Sequence, residues 1–277
     1  MNVENLELPD GYSKRYIAFL DILGFSDAIA KSQRNPEVFK KIYNALDIAQ
    51  TLSNPGTYGQ GDVRANAFSD SIIISAEDSL FGIKELVDAC EQVSVGILAA
   101  GLLCRGAIHW GDLCHDESYV FGPGLVKAYR MESTQAVYPR IIVTRELLEK
   151  MAELAAQHEP SDWLGDMFRR DGDGCVYLDT LGWFEELLNN EDKNENGKGL
   201  KILGLIRDFL EFSANNFVDN PNLFSKYEWM INEYNDLVSK NKIVANSLEH
   251  ISQYHLPAEL ASISGPDKLP SRRKGQK

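Results

Sequence analysis

Two aspartates of this chain occupy positions where a carboxylate needs a partner. Asp21 interrupts the apolar run at 16–23, and a desolvated carboxylate without a partner costs several kcal/mol of folding free energy. Asp70 stands between two short apolar segments, at the predicted tip of a hairpin. If that hairpin pairs beside the first strand, the two carboxylates converge and, with the backbone carbonyl of Ile22, form an oxygen set suited to Mg²⁺ or Mn²⁺. In the alternative interpretation, each aspartate only caps a turn.

The elements that must position these residues follow from the spacing of apolar side chains. Alternating or β-branched runs predict strands, and apolar residues that recur every three or four positions predict amphipathic helices. The predicted strands cover 16–23, 63–68, 71–75, 105–111, 141–143 and 175–178, and the predicted helices cover 36–52, 80–103, 124–133 and 145–157. This order predicts an α+β fold, in which helices flank a mostly antiparallel sheet.

The pattern changes in the last third of the chain, where a polar stretch precedes segments with helical periodicity. We therefore expect a catalytic domain over 13–185, a linker over 186–199 and a C-terminal helical extension over 200–262. The basic residues of 263–277 predict a mobile tail.

Composition excludes several classes of protein. The chain has 277 residues, with 28 Lys and Arg against 41 Asp and Glu, so its net charge of −13 disfavours a nucleic-acid binder. Residues 1–7 lack the apolar segment of a secretory signal, and the apolar run at 93–104 is shorter than the ~20 residues that span a bilayer. We expect a cytoplasmic protein without membrane association. The four cysteines form no CxxC pair, which predicts reduced thiols.

The segments around the two aspartates resemble the metal-binding segments of the class III nucleotidyl cyclases. Residues 19–26 (FLDILGFS) are similar to the first metal-binding strand of that family, and residues 68–71 (FSDS) to the hairpin with its second metal-binding aspartate. Further along, residues 121–122 (FG) resemble the family's WG dipeptide, and Arg130 falls on the helix that carries the transition-state arginine. The similarity covers about residues 15 to 180.

Within that superfamily, the chain is most similar to the pyrimidine cyclases of the bacterial Pycsar antiphage systems, through residues 68–71 and 127–130 (KAYR). The resemblance implies a cyclase that converts a nucleoside triphosphate to a 3′,5′-cyclic nucleotide and pyrophosphate. It also implies that the product acts on a separate cyclic-nucleotide receptor effector in antiphage defence.

The resemblance further implies roles for individual residues. Two Mn²⁺ or Mg²⁺ ions would be held at each site, and a homodimer would form its sites at the subunit interface. The implied metal ligands are Asp21, Ile22 and Asp70; the implied catalytic residue is Arg130; and the implied substrate-binding residues are Phe25, Asn66, Tyr119 and Lys127. The ligands Asp21 and Asp70 of one subunit would combine with Asn66, Tyr119 and Arg130 of the other.

Two positions bear on the choice of base. Asn66 falls where adenylyl cyclases carry Lys and guanylyl cyclases carry Glu, and Tyr119 falls where those enzymes carry Asp or a small polar residue. An amide could read a pyrimidine edge, and a Tyr ring could fill the space that a smaller base leaves. We favour UTP over CTP, although Asn66 can serve either base by turning its amide. A cytidylate cyclase, a purine cyclase and a catalytically degenerate nucleotide-binding module are the alternatives.

Two positions depart from the family pattern. The family's helix asparagine falls on Val126, where Lys127 is a candidate replacement. The late-strand lysine that binds the triphosphate has no clear match, although Arg169 and Arg170 precede the last predicted strand. The sequence therefore leaves the triphosphate contact open.

Overall fold

A computed structural model of the chain describes residues 11–52, 61–157, 167–189 and 193–251. The strands are β1 (Ser13–Leu23), β2 (Arg64–Phe68), β3 (Ser71–Glu77), β4 (Leu103–His115), β5 (Val120–Phe121), β6 (Ile141–Val143), β7 (Phe168–Arg170) and β8 (Val176–Leu178). The helices are α1 (Phe25–Ser32), α2 (Pro36–Leu52), α3 (Leu80–Ala99), α4 (Pro123–Gln135), α5 (Arg145–Gln157), α6 (Trp183–Asn189), α7 (Lys193–Phe217), α8 (Pro221–Lys240) and α9 (Lys242–Ala245).

The strands form one sheet in the order β2-β3-β1-β4-β6-β8-β7, with β5 paired to the end of β4. Every pairing is antiparallel except that between β4 and β6. The predicted α+β fold with a mostly antiparallel sheet flanked by helices is confirmed. The predicted helix at 80–103 is too long, because Gly101 adopts a φ of 83° after α3 and the chain turns there into β4.

The central strand β1 has a different apolar core on each face. Because side chains alternate along a strand, Tyr16, Ala18, Leu20 and Ile22 enter the main core beneath α1, α2, α3 and α5. Ile17 and Phe19 point to the opposite side and pack with Ala128 of α4. We call this second side the α4 face; Asp21 shares its parity with Phe19 and therefore lies on it.

The C-terminal helices pack directly against the sheet-bearing part of the chain. Leu203, Ile206 and Met230 share one apolar cluster with Val95 of α3 and Leu103 at the start of β4. In addition, Trp229 of α8 packs against the cluster that contains Ala107, on the α4 face. The helices that follow residue 200 are thus an integral part of the fold around the sheet.

The prediction of a linker over 186–199 requires correction. Residues 183–189 form α6 and residues 193–199 belong to α7, while 190–192 lie outside the described residues. The reason is packing: Leu188 is fully buried in the C-terminal apolar cluster, and a Cβ at Gly199 would lie 3.0 Å from Leu187 and 3.2 Å from Leu188. In the described residues of this stretch, the chain is helical. The predicted tail at 263–277 also lies outside the described residues.

None of the helices in the described ranges combines the length and apolar character that a membrane-spanning helix requires. All four cysteines, at 90, 104, 114 and 175, are free thiols.

Candidate active site

The structure brings the two predicted metal ligands to neighbouring positions. Asp21 lies opposite Ser71 in the pairing of β1 with β3, so Asp70, at the tip of the β2–β3 hairpin, follows the end of the same ladder. The tip is tight, with Ser69 at a φ of 58°. The backbone N–H of Ile22 donates a 3.0 Å hydrogen bond to the carbonyl of Asp70. This bond ties the strand that carries Asp21 to the turn that carries Asp70.

Asp21 has a cationic neighbour that the sequence analysis did not single out. Arg105 lies directly opposite on β4, with its Nε 3.6 Å from Asp21 Oδ2. Burial raises the pKa of Asp21, Arg105 lowers it, and the negative charge of Asp70 raises it. The net direction is upward, so burial outweighs the arginine, and a second cation near Asp21 would favour the ionised carboxylate.

Arg105 has a second and closer carboxylate, that of Glu132 on α4. Its Nε is 2.6 Å from Glu132 Oε1, and its Nη1 donates a 3.2 Å hydrogen bond to the carbonyl of Ala136. Glu132 is only 2% exposed, and burial raises its pKa while Arg105 lowers it. Arg105 is therefore held on the α4 face by partners other than Asp21.

A third charged group reaches the site from the C-terminal helices. On β4, Leu103 and Ala107 flank Arg105 on the same face of the strand. Trp229 of α8 packs beside Ala107, and Met230 of α8 clusters with Leu103. Lys226 precedes both on α8 by about one turn, so it lies on the same helix face. Burial and Arg105 lower the pKa of Lys226, whereas Asp21 raises it. Among the described residues, Lys226 makes no direct ion pair.

Sequence reasoning missed Arg105, Glu132 and Lys226. A signal existed for Arg105, because it is a lone charge in the apolar segment 102–108, as Asp21 is in its own strand. No comparable signal distinguishes Lys226 from the other charged residues of a helical segment, because its position depends on the docking of α8.

Asn66, the predicted base-reading residue, lies at the end of a hydrogen-bonded chain of polar groups. Its Oδ1 is 2.6 Å from Nε2 of His115, whose Nδ1 is 2.7 Å from Ser75 Oγ. Ser75 Oγ in turn accepts a 2.9 Å hydrogen bond from Nε of Arg15. The side chain of Asn66 is therefore oriented from behind by buried neighbours.

The other predicted site residues are not joined to Asp21 by any described contact. Tyr119 is 64% exposed, and its backbone forms a turn with Asp116 before β5. Arg130 is exposed on α4, and no polar partner of its side chain lies in the described part of the chain. Lys127 forms an ion pair with Glu146, with an Nζ–Oε1 distance of 3.4 Å.

Phe25 requires a correction of emphasis. Its side chain is only 7% exposed and belongs to the main core, so the side chain offers little surface to a substrate. Phe25 is the first residue of α1, after Gly24 at a φ of 72°. Its backbone N–H lies in the first turn of a helix, where such groups have no partner within the helix, and substrate binding by Phe25 remains a prediction.

Arg169, considered above for the triphosphate contact, is committed elsewhere. Its guanidinium binds Glu233 at 2.8 Å and Asp236 at 2.6 Å, both on α8. Trp229 of the same helix donates a 2.8 Å hydrogen bond from Nε1 to Asp171. These contacts dock α8 against β7 and β8, and so they position Lys226.

The donor set at the hairpin fits a magnesium-type cation. In the described ranges, no group of three or more His, Cys, Asp and Glu side chains could hold a metal. Mg²⁺ binds through one or two carboxylates and keeps waters and substrate phosphates as its other ligands, so Asp21 and Asp70 with the carbonyl of Ile22 are a sufficient set. If a cation displaces Arg105 from Asp21, the arginine stays paired with Glu132.

No protein-family model matches the chain, and no curated protein sequence does. A class III adenylyl cyclase-like ATP-binding protein from Pseudomonas aeruginosa is similar in structure, with a TM-score of 0.37 and 9% identity over 50% of this chain and 35% of that one. The catalytic core of a rhodopsin-guanylyl cyclase with converted specificity, in complex with ATPαS, has a TM-score of 0.34 and 15% identity over 60% of this chain and 95% of that one. The chain thus spans about a third of the first of these proteins. Both scores are low, so the activity proposed below depends on the residues of the site.

Proposed function

We propose that this protein is a metal-dependent nucleotidyl cyclase, with UTP as its favoured substrate and 3′,5′-cyclic UMP and pyrophosphate as its products. The observation that carries the proposal is the hydrogen bond from Ile22 to Asp70, which holds Asp21 and Asp70 together on a face that also presents Arg105 and Lys226. A metal-bound nucleoside triphosphate requires carboxylates that bind the divalent metal ion and, next to them, basic side chains that bind the phosphates.

The reaction needs no nucleophilic side chain. The ribose 3′-oxygen forms a bond to the α-phosphorus, the bond from that phosphorus to the bridging oxygen breaks, and pyrophosphate leaves while the 3′-hydroxyl proton passes to solvent. Asp21 and Asp70 would hold the divalent cations, which would lower the pKa of the attacking hydroxyl and neutralise the phosphates.

The chain's own residues position and neutralise the rest of the nucleotide. Arg105 and Lys226 place positive charge next to the carboxylates, where the phosphates of a metal-bound nucleotide lie. Arg130 is exposed and without a described partner, so it is available to a second copy of the chain. In that dimer, its planar guanidinium would meet the charge that develops on the α-phosphoryl oxygens.

The activity is tested by incubating the full chain with each of the four nucleoside triphosphates and Mn²⁺, then identifying the products by chromatography. The proposal expects a cyclic nucleotide and its loss in Asp70→Asn. Failure to form a cyclic product from any of the four would refute the cyclase. A cyclic purine as the sole product would refute the choice of UTP.

The shared site is tested by mixing two inactive variants. Asp70→Asn lacks a metal ligand and Arg130→Ala lacks the transition-state cation, so each homodimer is inactive. An equal mixture contains heterodimers with one intact site, which restores about a quarter of the wild-type rate. Asp70→Asn protein alone, taken through the same mixing procedure at the same total concentration, is the control. If the mixed variants show no recovery after subunit exchange, the division of the site between subunits is wrong.

The second candidate is a cyclase-like module that binds a nucleotide without turnover. Val126, which is 48% exposed where the resemblance expects an asparagine, favours this alternative. Calorimetric binding of a nucleoside triphosphate with no release of pyrophosphate would decide for it. The role in antiphage defence and the separate receptor effector are proposed from the sequence resemblance alone.

A further inference from the structure

A row of hydrogen bonds runs from Arg15 through Ser75 and His115 to Asn66, and Arg15 is the donor at its start. Arg15 is a permanent donor, and it is held in place by Asp62, which accepts from Nη1 at 2.8 Å through Oδ2 and from Nη2 at 2.6 Å through its carbonyl. Its Nε–H is donated to Ser75 Oγ. Arg15, Ser75 and His115 are each at most 5% exposed, so this order is set within the protein interior.

The proton of the Ser75 hydroxyl is then directed at His115. Ser75 is fully buried, and among the described residues its hydroxyl contacts no acceptor other than Nδ1 of His115, so its O–H donates there and the proton of the neutral imidazole lies on Nε2. Burial, together with Arg15 and Arg64, lowers the pKa of His115 to about 4, so the ring is neutral near pH 7 and keeps this single tautomer.

The tautomer of His115 determines which end of the Asn66 amide faces outward. The Nε2–H of His115 donates to Oδ1 of Asn66 at 2.6 Å, so the acceptor oxygen of the amide is already bound to His115. The Nδ2 group, a donor of two hydrogens, is the end left for a ligand. A fixed donor pairs with a carbonyl oxygen and is repelled by an amino group.

We propose that His115, as a positioning residue, restricts Asn66 to nucleotides whose base presents a carbonyl oxygen at the edge that Asn66 reads. The inference rests on the proposed function, in which Asn66 faces the base. Uracil and guanine carry a carbonyl where cytosine and adenine carry an amino group, so keto bases are selected over amino bases. UTP is therefore preferred to CTP, because turning the amide would break its bond to His115.

The experiment measures the affinities of the full chain for UTP, CTP, GTP and ATP by calorimetry in Mg²⁺. We expect UTP to bind about tenfold or more tightly than CTP, since a mismatch leaves buried polar groups unpaired. His115→Leu frees the amide and brings the UTP to CTP ratio close to one. His115→Gln restores the ratio, because its side-chain amide nitrogen can replace Nε2–H. His109→Leu, which removes a buried histidine bound to Thr144 at 3.0 Å, leaves the ratio unchanged.

A second variant avoids a change in the interior. Asn66→Asp replaces the outward donor by an acceptor at a partly exposed position, and it shifts the preference from UTP toward CTP. Wild-type protein that binds CTP as tightly as UTP, or Asn66→Asp protein that keeps the UTP preference, overturns the inference. Preferential UTP binding without a cyclic product would refute the cyclase and leave the base selection standing. Cyclisation of UTP and CTP at equal kcat/KM would refute the selection alone.

Discussion

Asp21 and Arg105 face each other across β1 and β4, with Arg105 Nε 3.6 Å from Asp21 Oδ2 and 2.6 Å from Oε1 of Glu132. The arginine thus joins a candidate metal ligand to a buried carboxylate of α4. If a cation binds Asp21 as proposed, Arg105 keeps Glu132 as its partner.

The first prediction concerns the metal. If a cation binds the folded chain at Asp21 as proposed, Mn²⁺ at 100 times its Kd should stabilise the protein by about 2.7 kcal/mol. Asp21→Asn should abolish the rise in Tm with Mn²⁺ and the cyclase activity together. Asp112→Asn is the control, because Asp112 forms an ion pair with Lys14 near the surface at 3.0 Å. Retention of the full Tm shift by Asp21→Asn would place the metal elsewhere.

The second prediction concerns the buried ion pair. Arg105→Met leaves the carboxylate of Glu132 buried without its cation, and the free energy of unfolding in urea should fall by about 3 kcal/mol. Glu132→Gln in the same chain should recover part of this loss, because a neutral amide is cheaper to bury. Strictly additive effects in the double-mutant cycle would show that the two side chains are not coupled.

The third prediction concerns Lys226. A lost contact between an ammonium and a phosphate should raise the KM for the nucleoside triphosphate about tenfold in Lys226→Ala, while Lys226→Arg should keep most of the affinity. Lys201→Ala, on the exposed surface of α7, is the matched control. Equal weakening of uridine and UTP binding by Lys226→Ala would show that Lys226 does not bind the phosphates, because uridine has no phosphate.

The fourth prediction concerns pH. The pKa of His115 is lowered to about 4 by burial and nearby arginines, against an ordinary value of 6.5. Between pH 6.5 and 4 the unfolded chain binds a proton at His115 that the folded chain does not bind. The free energy of unfolding is therefore unaffected by protonation of His115 above pH 6.5 and falls as the pH decreases toward 4. The loss approaches about 3 kcal/mol.

Unfolding in urea at several pH values should show this loss in wild-type protein and a weaker pH dependence in His115→Gln. The carboxyls with raised pKa values, such as Asp21 and Glu132, act in the opposite direction, but they are common to both proteins. His250→Gln, at an exposed position, should follow wild type. Parallel pH profiles for His115→Gln and wild type would contradict the assignment.

Much of the local structure could be predicted from residue patterns. The helices at 36–52 and 145–157 and the strand at 141–143 have the predicted bounds, because the periodicity of apolar residues there agrees with a single element type. The predicted linker at 186–199 differs from the structure, because polar residues are common in helices as well as in linkers. Burial of Leu188 decided between the two, and burial depends on contacts distant in sequence.

The sequence by itself determined the class of fold, because strand and helix periodicities are local, and it singled out Asp21, because a charge within an apolar strand needs a partner. Only the tertiary structure decided what that partner is. Arg105 meets Asp21 through the register of β1 and β4, and Lys226 arrives through the docking of α8. The orientation of Asn66 depends likewise on Arg15, Ser75 and His115, which lie on three different strands. Hydrogen bonds and ion pairs act over a few ångströms, so their partners are set by strand register and helix packing rather than by sequence spacing.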